Sequence, residues 1–256
     1  MRDIQNHFAG VASQYAAFRP TYPRQLLADL ATLAGGAHTV ALDVAAGNGQ
    51  ATSMLADYVD HVYASDVALS QIQAMPAHPR ISAYVARAEA SSLAPHSVDL
   101  ITVAQAMHWF DVDAFHREVH RVVRPGGIIA VWSYALLHAT PAINDVINDL
   151  YRATGPWWPA DRAHVDDGYA NLAFPYPRVP YTPPAMTAQF DVARLMGYLG
   201  TWSGVQRYKK ATGEDPVATR SDALRAAWGG ADTQSVTFTF DVTMRVGRVG
   251  IDGTQA

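Results

Sequence analysis

Residues 39–50, Thr-Val-Ala-Leu-Asp-Val-Ala-Ala-Gly-Asn-Gly-Gln, read as a buried strand running straight into a turn of small residues. Val40, Leu42 and Val44 favour an extended backbone, while Ala45, Ala46, Gly47 and Gly49 carry almost no side-chain bulk. A turn of that kind lets a ligand lie against the main chain at the carboxyl end of the first strand of a nucleotide-binding α/β sheet. An adenosine-containing ligand is the expectation.

The composition of the turn narrows the choice. A dinucleotide fingerprint places a third glycine where Thr52 stands, and a triphosphate loop requires a Gly-Lys-Ser/Thr that is missing here. Asp43, just before the turn, would repel a phosphate but could orient a cationic amino group. These residues favour S-adenosylmethionine over a nicotinamide dinucleotide. Further on, His61 to Val67 reads as a second strand. It contains Asp66, 17 residues after Gly49, placed to accept from both hydroxyls of a ribose. The alternative role for Asp66 is to cap a helix beginning near Ala68.

Working outward, strands are expected at 39–46, 61–67, 81–88, 98–106 and 127–134. Helices are expected near 4–18, 48–58, 68–75 and 113–124, with a short or poorly formed one near 89–95; another, after Pro23, turns Leu26, Leu27, Leu30 and Leu33 inward and stops at Gly35-Gly36. Hydrophobic strands alternating with helices imply a parallel sheet covered on both faces. Residues 155–184 hold seven prolines among tryptophans and tyrosines. That stretch is too apolar for a solvated linker and is expected to pack as a cap over the active end of the sheet. A strand at 185–191, helices near 192–201 and 216–228, and an alternating strand at 235–246 would complete the domain. The last residues, 247–256, read as frayed.

Composition excludes several classes. The chain has 256 residues, 49% of them apolar, enough for one domain with a sizeable core. A net charge of −4 offers no basic field for nucleic acid. With no cysteine there is no thiolate zinc site, iron–sulfur cluster, disulfide or cysteine nucleophile. The most apolar run, 128–139, is too short to span a bilayer, and Met1 to His7 has no signal-like apolar stretch. A soluble, cytoplasmic protein is expected, a monomer or weak homodimer with a small-molecule partner.

The chain resembles the class I S-adenosylmethionine-dependent methyltransferases, and within them trans-aconitate methyltransferase-like proteins. The likeness rests on Phe8…Tyr15…Arg19-Pro20-x-Tyr22-Pro23, Leu42-Asp43-Val44-x-x-Gly47-x-Gly49-Gln50 and Val62-x-x-x-Asp66. It continues in Ala88-Glu89, Asp99-Leu100-Ile101, Ala106-x-His108-Trp109-Phe110-Asp111 and Arg121-Val122-x-Arg124-Pro125-Gly126-Gly127. The family usually has glycine where this chain has Ala45. The resemblance implies a Rossmann-like seven-stranded sheet of order 3-2-1-4-5-7-6 with the last strand antiparallel. It divides the chain into a helical cap (1–35), a cofactor core (36–134), a cap insertion (135–184) and a closing region (185–249).

The resemblance also implies roles. Asp43 and the backbone from Ala45 through Gly47 and Gly49 to Gln50 would hold the methionine part of the cofactor, and Asp66 the ribose. Val67, Ala88 and Glu89 would border the adenine, and Gln105 would lie beside the methionine. Tyr15 and Arg19 would close the site, the arginine being suited to a carboxylate. His108 is either a general base for a hydroxyl or amine acceptor, or only a hydrogen-bonding group beside Trp109. Trp157, Trp158 and Trp202 either wall an acceptor pocket or fill the core, and Trp132 is better placed for a site on its strand. Arg207 would pair with an acidic substrate or with a surface carboxylate. His116 and His120 are four residues apart on one helix face, but Arg117 stands where a zincin has glutamate, so no metal is expected. The expected reaction is methyl transfer to a carboxylate or hydroxyl oxygen. The alternatives are N- or S-methylation, a nicotinamide-dependent dehydrogenase, and a cofactor-binding module without catalysis.

Overall fold

The computed structural model describes residues 18–250. Helix α1 (Arg24–Ala34) buries Leu26, Leu27, Leu30 and Ala31 and stops at Gly35, whose N–H returns to the carbonyls of Ala31 and Thr32. Strand β1 (Val40–Val44) then crosses the centre of the molecule, and its turn feeds α2 (Gln50–Leu55). The succession continues through β2 (His61–Asp66), α3 (Leu69–Ala74), β3 (Ile81–Val85), β4 (Val98–Ala104), α4 (Val112–Val122) and β5 (Val123–His138). After that come α5 (Pro141–Ala153), the short α6 (Arg162–Asp166), β6 (Met186–Phe190), α7 (Val192–Gly200), α8 (Ser203–Thr212), α9 (Ser221–Trp228) and β7 (Val236–Arg248).

The seven strands form one sheet of order β3-β2-β1-β4-β5-β7-β6. The first five are mutually parallel, and β7 runs antiparallel between β5 and β6. This is the Rossmann-like order that the family resemblance implies. Side chains alternate between two cores, as strand geometry requires. Ala41, Leu100, Ile128, Ala130 and Trp132 pack with the face that carries α1, α5 and α7. Leu42, Val44, Ile101, Val103, Ile129 and Val131 pack on the other face, against Phe115, Val119 and Val122 of α4 and against Tyr169 and Tyr176.

Several local expectations are corrected. Residues 89–95 form turns rather than a helix, because buried Glu118 takes the Ser91 N–H (2.7 Å) and hydroxyl (2.6 Å). Arg-Pro-Gly-Gly lies inside β5, not before it, as an irregularity between the Val98–Val123 and Leu100–Ile128 pairs. Gly127 is required there, since a Cβ would lie 2.5 Å from Val123 Cγ1 and 2.8 Å from the Asp99 carbonyl. Residues 247–249 are paired rather than frayed: Gly247 opposes Ile129, and the Val249 N–H donates to Gly127 at 2.8 Å. Helices α5 and α8 were not read from the sequence. For α5 the signal existed, since the Thr140 hydroxyl accepts from Ile143 N–H and Pro141 follows it at the first helical position. Helix α8 buries only Gly204 and Val205 and has no apolar stripe to read.

The proline-rich stretch starts at the carboxyl ends of the strands and then descends the α4 face. Tyr169 meets His108, Tyr176 meets His116, the Val179 N–H joins the Val246 carbonyl, and Tyr181 reaches Asp29 of α1. The helix expected over 4–18 lies outside the described residues, apart from Phe18. Among the described residues no helix is long and apolar enough to cross a membrane.

Candidate cofactor and acceptor site

The carboxyl ends of β1, β2, β3 and β4 border a cavity of about 390 Å³. Main-chain bonds align these ends: Ala46 N–H to Ser65 O (2.9 Å), Ala86 N–H to Asp66 O (3.1 Å) and Gln105 N–H to Trp132 O (2.9 Å). A volume of that order suits a nucleoside-sized ligand.

The turn after β1 owes its shape to left-handed residues. Ala45 has φ 53°, Gly47 57° and Gly49 86°. At Gly47 a Cβ would meet only Gln71 Oε1 at 3.8 Å, so backbone conformation alone selects glycine. At Gly49 a Cβ would also fall 2.6 Å from Met75 Cγ. Ala45 takes the same conformation with a methyl group, which accounts for the family's glycine there and costs about 1–2 kcal/mol. Ala45→Gly is therefore expected to raise unfolding stability by about 0.5–1 kcal/mol after the added chain entropy of glycine; urea denaturation checks it, and a loss of stability would contradict the strain.

Asp43 is fully buried and accepts from the Thr52 hydroxyl at 2.6 Å and the Thr102 hydroxyl at 2.7 Å. Burial pushes its carboxyl up to about 6, against the pull of those two hydroxyls. Thr52 therefore has a task that the glycine of a dinucleotide fingerprint could not perform. Asp66 accepts from the Gly47 N–H at 2.9 Å through one oxygen and from the Ala68 N–H at 2.8 Å through the other. It thus clips the first turn to the second, and partial burial raises its carboxyl pKa. Gln105 (φ 59°) is a second strained residue on the wall, at the end of β4. Its Nε2 donates to the Tyr134 carbonyl at 3.1 Å. Glu89 accepts from the Asp111 N–H (3.0 Å) and from Arg87 Nε (3.1 Å), which fixes the His-Trp-Phe-Asp turn against the cavity.

Of the residues singled out in the sequence, Asp43, Ala45, Gly47, Gln50, Asp66, Val67, Ala88, Glu89, Gln105 and Trp109 line this cavity. Gly49 is one step behind the wall, against Met75. Tyr15 lies outside the described residues. Arg19 stands behind Tyr134, donating to its hydroxyl at 3.0 Å. Trp132 is fully buried behind Tyr22, whose ring it meets edge-on at 5.5 Å. Trp158 and Trp202 pack on each other at 5.7 Å, Trp157 packs on Tyr208, and Arg207 is exposed on α8. Arg19, Trp132, Trp157, Trp158, Trp202 and Arg207 do not reach the cavity wall. Tyr22, Gln71, Ala86, Phe110 and Tyr134 do line it and were not singled out as site residues. Tyr22 and Phe110 stand inside quoted motifs, which was the available signal.

His108 also lies off the wall. Its Nδ1 is 3.1 Å from the Tyr169 hydroxyl and its ring is 4.8 Å from that of Trp109. Burial, with the charges of Arg162 and His164, pushes its pKa down to about 3. His116 uses both ring nitrogens. Nε2 faces the Ala173 carbonyl (3.0 Å) and so donates, leaving Nδ1 to accept from the Tyr176 hydroxyl (2.7 Å). Among the described residues no three His, Cys, Asp or Glu side chains gather into a metal-holding group.

Comparison with known proteins agrees with this architecture. Residues 42–131 match the methyltransferase domain family model. A methyltransferase of Dictyostelium discoideum is 30% identical over 91% of this chain and 90% of its own. The solved structure of a type II methyltransferase from Anaeromyxobacter dehalogenans is 41% identical, with a TM-score of 0.84, covering 90% of this chain and 98% of that one. The [4+2]-cyclase SpnF shares the fold at 12% identity and a TM-score of 0.53, over 97% and 96% of the two chains. Sheet order, glycine turn and a relative matched over nine-tenths of both chains lead to one assignment: this chain belongs to the class I S-adenosylmethionine-dependent methyltransferases.

Proposed function

We propose that this enzyme transfers the methyl group to an oxygen of a small-molecule acceptor, and that this oxygen belongs to a carboxylate. When bound, S-adenosylmethionine supplies a methyl carbon that is already strongly electrophilic. The cavity fits it: Asp43 would meet the amino group, the backbone of residues 45–49 would hold the methionine chain, and Asp66, which keeps lone pairs beyond those given to Gly47 and Ala68, would hold the ribose. Val67, Ala88 and Glu89 would border the adenine, and Gln105 the methionine. The remaining task of the protein is to position the acceptor and exclude water.

The observation that carries the choice of acceptor is the state of His108. An imidazole whose conjugate acid has a pKa near 3 is too weak a base to draw a proton from an alcohol in the transition state. A carboxylate, ionised above about pH 5, asks for no base. The SpnF likeness warns that this fold alone does not fix the reaction, so the test must be turnover. With S-adenosylmethionine saturating at every pH, labelled methyl transfer to a panel of acids and alcohols is expected to favour acids, to be flat from about pH 5.5 to 8.5, and to change less than about threefold in His108→Ala. Preference for alcohols, with activity lost in that variant, would overturn the carboxylate reading.

A further inference from the structure

Ala86, Arg87, Ala88 and Glu89 line the cavity where β3 ends, and the chain that follows them is gripped along the length of α4. At the start of that helix Glu89 accepts from the N–H of Asp111, whose own carboxylate caps α4 by accepting from the Ala114 N–H at 3.1 Å. Further along α4, Glu118 Oε1 accepts from both the N–H and the hydroxyl of Ser91. Arg121 spans the same carboxylate through Nε (2.8 Å) and Nη2 (2.7 Å), while its Nη1 donates to the Leu93 carbonyl at 2.6 Å. The His96 N–H then closes on the Arg121 carbonyl at 2.9 Å. Between the grips on Ser91 and Leu93, Ser92 has φ 60°, a conformation that a residue with a side chain keeps only where its surroundings hold it.

The carboxylate at the centre of this network is 9% exposed. Burial pushes its pKa up, but the bonds from Arg121 and Ser91 outweigh burial and hold it below the usual range, so it stays ionised. A buried ion pair adds little net stability over an apolar substitute, yet it admits only one geometry. Neither Glu118 nor Arg121 lines the cavity, so any effect on the ligand passes through the loop. Adenine presents a donor at N6 beside an acceptor at N1, and hypoxanthine presents the reverse. Main-chain groups held to within about 0.5 Å distinguish the two edges, whereas a loosened chain can turn to suit either.

We propose that Glu118, acting through Ser91 and together with Arg121, is the positioning residue that fixes the main chain at 86–91 against the base and so makes the cofactor site selective for adenine. The proposal rests on the cofactor reading of the same cavity.

The test is titration calorimetry of the full chain with S-adenosylhomocysteine and with S-inosylhomocysteine, in wild type, Glu118→Ala, Glu118→Gln and Arg121→Met, beside a melting curve for each. Wild type is expected to prefer the adenosyl compound by at least about tenfold, since the wrong edge leaves polar groups unpaired. Glu118→Ala should bring that preference below about threefold, chiefly by loss of adenosyl affinity, while Glu118→Gln, which keeps an acceptor for Ser91, should retain most of it. Arg121→Met releases Leu93 from the more exposed side of the pair, and it decides the matter in the same direction if Glu118→Ala does not fold. A role in stability alone would lower melting and leave the preference as in wild type. That outcome, or a wild type that takes both compounds equally, would overturn the proposal. A wild type that binds neither compound would instead strike the cofactor reading beneath it.

Discussion

Asp66→Ala is expected to weaken S-adenosylhomocysteine binding roughly a hundredfold, because two charge-assisted hydrogen bonds to a ribose are worth about 3 kcal/mol together. The same substitution removes the acceptor for the Gly47 and Ala68 N–H groups, which join the turns after β1 and β2. Melting should therefore fall as well. Asp66→Asn separates the two effects: it keeps one acceptor oxygen for the turns and cannot accept from both hydroxyls. Titration calorimetry on both variants should show affinity lost in each and stability lost mainly in alanine. Unchanged affinity in both would remove Asp66 from the ribose.

The second large effect is with pH. Asp43 has its folded pKa raised to about 6 from an ordinary 3.8, so the folded chain holds this proton more tightly than the unfolded chain. Its contribution to folding is therefore favourable at acid pH, fully present below about 3.8, and lost as pH rises through about 6, a change of about 3 kcal/mol. Cofactor binding has the opposite dependence, since a cationic amino group calls for the ionised carboxylate. Affinity for S-adenosylhomocysteine is expected to be level from pH 7 to 8 and to fall about tenfold by pH 5, and binding at pH 6 should release about half a proton. Asp43→Asn should bind weakly at every pH with most of that slope gone. An affinity indifferent to pH in the wild type would show that Asp43 does not meet the amino group.

The sheet could be read from the sequence because β1, β2 and β4 are short, largely apolar runs that end in, or run straight into, a small or acidic residue at the same edge. Val40 to Val44 and Val98 to Ala104 show this most clearly, and the glycines at 47 and 49 mark where the ligand wall begins. What could not be read depended on distant partners. Ser91 is withheld from a helix by Glu118, which lies 27 residues on. The indoles at 132, 158 and 202 carried the same sequence signal as Trp109, yet only Trp109 reaches the cavity, since nothing local in an aromatic residue tells which face of the packing it will join. His108 looked like a titrating base because its motif is polar and lies at a strand end. Its burial beside Tyr169 and the fields of Arg162 and His164 come from a segment more than fifty residues later.

The central claim is that the turn at 45–50 and the carboxylate at 66 hold an adenosyl sulfur compound and not a dinucleotide. Titration calorimetry of the purified protein with S-adenosylhomocysteine and, in parallel, with NADH tests it most directly. Micromolar binding of the thioether with no detectable binding of NADH is the predicted result. Binding of NADH, or no binding of the thioether, would contradict it.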